Sequence, residues 1–100
     1  MHTVPLRKVT IVAEALLEDK LLRELLELGA RGFTISETRG QGSRGIRAID
    51  WEGRNVRIES IVGAEVADAL LAHVADHYFE FYAVIAWVED VEVVRGDKYA

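Results

Sequence analysis

Val9-Thr10-Ile11-Val12-Ala13 opens, and Gly32-Phe33-Thr34-Ile35-Ser36-Glu37-Thr38 closes, the stretch whose reading decides the fold. The first segment is short, apolar and β-branched, as a buried strand requires. The second alternates apolar and polar residues in the two-residue rhythm of a strand. Between them Leu17, Leu21, Leu22, Leu25 and Leu28 recur at helical spacing, and Glu18, Asp19, Arg23, Glu24 and Glu27 fill most of the other positions. Acids at the start suit the amino end of a helix, and Gly29 supplies its carboxy-terminal stop. Residues 9–38 therefore read as strand, helix, strand.

The rhythm repeats further along. Val56-Arg57-Ile58-Glu59-Ser60-Ile61-Val62 alternates again, and Gly63 precedes a second helical stripe of Val66, Leu70, Val74 and Tyr78. Residues 83–94 read as a long strand, or one bent into a small hairpin. The order βαββαβ is that of a ferredoxin-like α+β sandwich: a four-stranded antiparallel sheet with both helices on one face. A long loop, residues 39–55, joins strands two and three. With no repeat, linker or low-complexity tract, residues 1–100 form one expected domain. One sheet face stays open. Together with the aromatic residues Phe79, Phe81, Tyr82 and Trp87, it suggests burial between copies of the chain.

Composition excludes several classes. There is no cysteine, hence no disulfide, thiolate metal site or cysteine nucleophile. No apolar run reaches the roughly 20 residues of a membrane-spanning helix, and the first residues lack the pattern of a signal peptide. The expectation is a soluble, cytoplasmic protein without direct membrane insertion. A net charge of −5 argues against nucleic acid as a partner.

The charge is unevenly spread. Residues 39–57 hold five arginines (39, 44, 47, 54 and 57) against Asp50 and Glu52, so this span carries +3 and the remainder −8. Gly40, Gly42, Gly45 and Gly53 interleave with them. Glycines let backbone N–H groups converge on an anion, and arginine forks add charge and paired hydrogen bonds suited to phosphate or carboxylate. The pattern is neither a Walker P-loop nor a dinucleotide fingerprint, because no helix follows it.

Gly32-Phe33-Thr34-Ile35-Ser36-Glu37-Thr38-Arg39-Gly40-Gln41-Gly42 resembles the PII signalling proteins where their second strand passes into the T-loop. Gly42-Ser43-Arg44-Gly45-Ile46-Arg47 and His77-Tyr78-Phe79-Glu80-Phe81-Tyr82-Ala83 are similar to the GSRxxR loop and aromatic run of the SbtB-like and carboxysome-associated PII branch, linked to inorganic-carbon uptake. The resemblance implies a non-catalytic homotrimer that binds adenine nucleotides (ADP, AMP, ATP or cyclic AMP) in clefts between subunits. It needs no cofactor, has bicarbonate as a second small-anion ligand, and has a bicarbonate transporter or carboxysome component as partner. It assigns phosphate contacts to Gly42, Ser43, Arg44 and Arg47, and an adenine- and ribose-facing role to Gly32, Phe33 and Thr34. Arg39, Gly40, Gln41, Trp51 and Arg54 become candidate anion or partner contacts. The sequence departs from the main PII pattern: it lacks the T-loop tyrosine, the glycine-rich B-loop run and the glutamine that helps hold Mg²⁺ and 2-oxoglutarate. Val84 stands where the branch tends to have glycine.

Other residues admit blander readings. His73 and His77, four apart on a helix, match two-ligand spacing but have no third ligand in sequence. Glu37 and Glu59 sit on strands as polar members that face solvent or pair with Arg39 or Arg57. Ser43 has no base in reach to make it a nucleophile. Two other functions share the element order: an ACT-type amino-acid-binding module, and an acylphosphatase-like hydrolase. The hydrolase needs an asparagine in its phosphate cradle, whereas the one asparagine here is Asn55.

Overall fold

A computed structural model describes residues 1–39 and 54–95. Four strands, β1 (Val4–Glu14), β2 (Thr34–Thr38), β3 (Asn55–Val62) and β4 (Ile85–Val93), and two helices, α1 (Glu18–Glu27) and α2 (Ala64–His77), follow the expected order. The sheet order is β2-β3-β1-β4, and every neighbouring pair is antiparallel. This is the ferredoxin-like arrangement. The last segment is a single strand without a hairpin.

β1 runs longer than residues 9–13 because Arg7 and Lys8, which interrupt the apolar rhythm, find acids across the sheet. Arg7 Nε lies 3.1 Å from Asp90 Oδ1, and Lys8 Nζ lies 3.5 Å from Glu89 Oε1. Pro5 is tolerated because β3 begins pairing with β1 only at Arg7, so Pro5 has a strand neighbour on the β4 side alone.

Alternation then divides the sheet. Val9, Ile11 and Ala13 of β1 and Val56, Ile58 and Val62 of β3 turn to the helices, where they meet Leu17, Leu21, Leu25, Leu70, Val74 and Tyr78 in one core. Burying a side chain of this size contributes about 1.5–3 kcal/mol. The other face carries Lys8, Thr10, Val12 and Glu14 of β1, Asn55, Arg57, Glu59 and Ile61 of β3, and Ile85, Trp87 and Glu89 of β4. No helix among the described residues covers it.

Of the four aromatic residues that suggested burial between copies, Trp87 lies on that face. Phe79 and Phe81 are exposed in the turn after α2, and Tyr82 is half-buried against the core. The turn wraps on Tyr78, whose carbonyl accepts from the N–H groups of Phe81 and Tyr82. Among the described residues, no helix is long and apolar enough to cross a membrane.

Candidate functional site

The β2–β3 pairing positions the site. Thr38 is the register partner of Asn55, so the chain leaves the sheet at Arg39 and re-enters it at Arg54 beside its point of departure. Both arginines are exposed at this base. The backbone there is fixed from the β1 side as well: the Ala15 N–H donates to the Arg54 carbonyl at 3.2 Å. Gly40, Gln41, Gly42, Ser43, Arg44, Arg47 and Trp51 lie outside the described residues.

At the opposite end of β2, Ser60 Oγ donates to the Gly32 carbonyl at 2.8 Å and ties the strand's start to β3. Phe33 and Thr34 diverge by alternation. Phe33 packs against the core, whereas Thr34 lies exposed on the open face opposite Glu59. Alternation thus puts Thr34, and not Phe33, on the open face at this end of β2. Val84 is buried in the core just before β4.

The open face is more polar than its aromatic content suggested. Glu59 Oε2 lies 3.6 Å from Lys8 Nζ and 3.5 Å from Arg57 Nε. The Arg57 guanidinium sits 5.6 Å from the centre of the Trp87 ring, and Trp87 Nε1 donates to Glu89 Oε1 at 3.1 Å. Lys8 bridges Glu59 and Glu89 and so links β3 to β4 across β1. Glu59 thus pairs with Arg57, as its place on an alternating strand led us to expect. Glu37 pairs in register with Val56 and so lies on the helix side, the face opposite to that of Glu59.

The histidines of α2 belong to a separate group between the helices. Glu24 Oε1 accepts a hydrogen bond from the Tyr78 hydroxyl and makes a 2.9 Å contact with His73 Nε2, while the His73 and His77 rings lie 4.4 Å apart. Lys20 Nζ sits 5.1 Å from the centre of the Tyr78 ring. Burial pulls the Glu24 carboxyl upward, but the hydrogen bonds from Tyr78 and His73 and the charges of His73 and Lys20 outweigh it and hold the group below its ordinary value. Burial, then the Glu24 carboxylate, push the Tyr78 hydroxyl far above its usual range. Among the described residues no group of three or more histidine and acidic side chains is arranged to hold a metal ion.

Sequence reasoning missed two of these features. Glu14 is 3% exposed on the open face, next to the loop base. Extending the alternation of Thr10 and Val12 by one step would have placed it there. The Glu24–His73–Tyr78 group joins residues 49 and 54 positions apart, for which the sequence has no local signal.

Comparison with known proteins assigns the class. Residues 6–98 match the family model described as nitrogen regulatory protein P-II, and the chain belongs to that family of regulatory proteins. It is similar to a PII-like signalling protein from Thermus thermophilus, at 58% identity and a TM-score of 0.87, with 100% of each chain covered. It is also similar to CPII of Thiomonas intermedia. A structure of CPII bound to ADP, AMP and acetate aligns at 25% identity and a TM-score of 0.86 over 99% of this chain and 98% of that one. A structure with ADP and bicarbonate gives 25% and 0.85 over the same shares. The chain is thus a PII-like signalling protein rather than a member of the ACT-type or acylphosphatase-like families that share its element order.

Proposed function

We propose that this chain, acting as one domain over residues 1–100, is a non-catalytic regulator. It assembles as a homotrimer and binds adenine nucleotides in the clefts between subunits, with bicarbonate as a second ligand. The observation that carries the reading is the match in fold to CPII, solved with ADP, AMP and bicarbonate. This chain supplies the chemistry such ligands need: arginines concentrated among glycines in the loop of an otherwise acidic protein.

In this mechanism Ser43, Arg44 and Arg47, with the Gly42 backbone, hold the phosphates. Gly32, Phe33 and Thr34 form the adenine and ribose end, Thr34 from the open face and Phe33 by fixing the strand against the core. Arg39, Gly40, Gln41, Trp51 and Arg54 contact the small anion or the partner. Ligand orders the 39–55 T-loop by satisfying its arginines and N–H groups, and the ordered loop presents a different surface to a partner. A bicarbonate transporter or a carboxysome component is the partner this reading names, with carbon or energy status as the signal.

Limited proteolysis tests the switch. Trypsin should cut within residues 39–55 in the free protein, and saturating ADP should slow that cleavage at least about tenfold, since protection follows the population of the open loop. Equal cleavage with and without every adenine nucleotide would remove the order–disorder mechanism.

A further inference from the structure

Three buried side-chain atoms among the described residues have no hydrogen-bond partner: Thr10 Oγ1, Glu14 Oε1 and Arg57 Nε. All three lie on the uncovered face of the sheet. The polar groups on the helix side are satisfied, Ser60 by the Gly32 carbonyl and Tyr78 by Glu24. On this open face the buried Glu14 oxygen is left without a donor, and Arg57 Nε stands 3.5 Å from Glu59 Oε2 as an ion pair without a hydrogen bond; a buried polar group keeps its desolvation cost until it is paired.

Glu14 and Arg57 do not serve each other. Arg57 pairs in register with Val12 and Glu14 with Asn55, so they are diagonal neighbours on this face. The Arg57 side chain leans away, toward Glu59 and Trp87. That side chain remains 43% exposed, while Glu14 is closed in at 3%.

We propose that Glu14 is the acceptor in an ion pair between copies of this chain, and that the partner subunit's Arg57 is the donor. A face that holds a buried acceptor without a donor, and beside it a partly exposed guanidinium with N–H groups beyond the one facing Glu59, is complementary to itself in a cyclic arrangement, where each copy gives one group and receives the other. This rests on the reading that the protein assembles with itself, and it names the contact that sets the register of that assembly. It also makes the interface a hydrogen-bonded one, in keeping with the ionic lattice of Lys8, Glu59 and Glu89 on the same face.

Sedimentation of the full chain tests it, with Trp87 fluorescence and circular dichroism to check folding. Glu14→Gln keeps the shape and removes the charge, and should raise the protomer concentration at half-assembly at least about tenfold. Glu14→Arg and Arg57→Glu should each leave a folded monomer, and the double variant E14R/R57E should return assembly to within roughly threefold of wild type. The double variant is decisive because Arg57 also serves Glu59. A trimeric wild type with an indifferent Glu14→Gln, or a double variant as weak as the sum of its parts, overturns the contact. So does a Glu14→Gln chain that loses its fold while still monomeric. A wild type that stays monomeric removes the assembly reading and this contact with it.

Discussion

Glu24 shows what one partly buried carboxylate does when three groups converge on it. Its folded pKa lies below the ordinary 4.5, so its contribution to stability is complete above that value and is lost as pH falls through the lowered one. Glu24→Gln should flatten the acid limb of a denaturation series between pH 7 and pH 3 and leave the neutral limb nearly parallel to wild type. Tyr78 works in the opposite direction. Its raised value means the neutral hydroxyl is favoured in the fold, so its stabilisation is complete below about pH 10 and declines above it. Tyr78→Phe, which deletes a hydrogen bond to a charged acceptor, should cost about 1.5–3 kcal/mol in urea unfolding at neutral pH. In the loop, Arg44→Ala should weaken nucleotide binding by about 1–3 kcal/mol, the scale of a charged hydrogen bond, and unchanged affinity would remove Arg44 from the phosphate site.

The carboxy end of α1 is a closed hydrogen-bonded unit. The Ala30 N–H reaches the Leu25 carbonyl at 3.1 Å and the Gly29 N–H reaches the Leu26 carbonyl at 3.2 Å, with Gly29 at φ 118°. A Cβ at Gly29 would stand 3.2 Å from Val66 Cγ2 on α2. Gly29→Ala should therefore cost about 1–2 kcal/mol from backbone strain, measured as a lowered urea midpoint with unchanged slope. This stop was legible in the sequence, as were both helices and the order of all four strands, because amphipathic period and glycine placement are local signals. The true start of β1 was not. The Arg7–Lys8 pair hides it until the register shows which acids lie across the sheet. The placement of Phe79 and Phe81 was equally hidden, since an apolar run reads alike whether it continues a strand or forms the turn before one. The candidate site was legible only as composition: arginine and glycine counts located the loop, and the resemblance to PII proteins gave its residues their roles. The parts of the site that alternation controls, Thr34 outward and Phe33 inward, needed the register to be told apart.

At the scale of the whole molecule, an acidic body with a basic loop is joined to a sheet whose uncovered face is ionic, ordered and incompletely satisfied. In the proposed function the loop arginines serve an anion and the uncovered face serves another copy. The family match places the protein among PII regulators; the proposed function brings the loop arginines and the β2 residues together in clefts between copies. The most direct test is calorimetric titration of the assembled protein with ADP, ATP, AMP and cyclic AMP, each with and without bicarbonate. Saturable heat is expected with at least one of the four at one site per chain, tightened by bicarbonate. No heat with any of them, from a protein shown to be folded and trimeric, would contradict the proposed function.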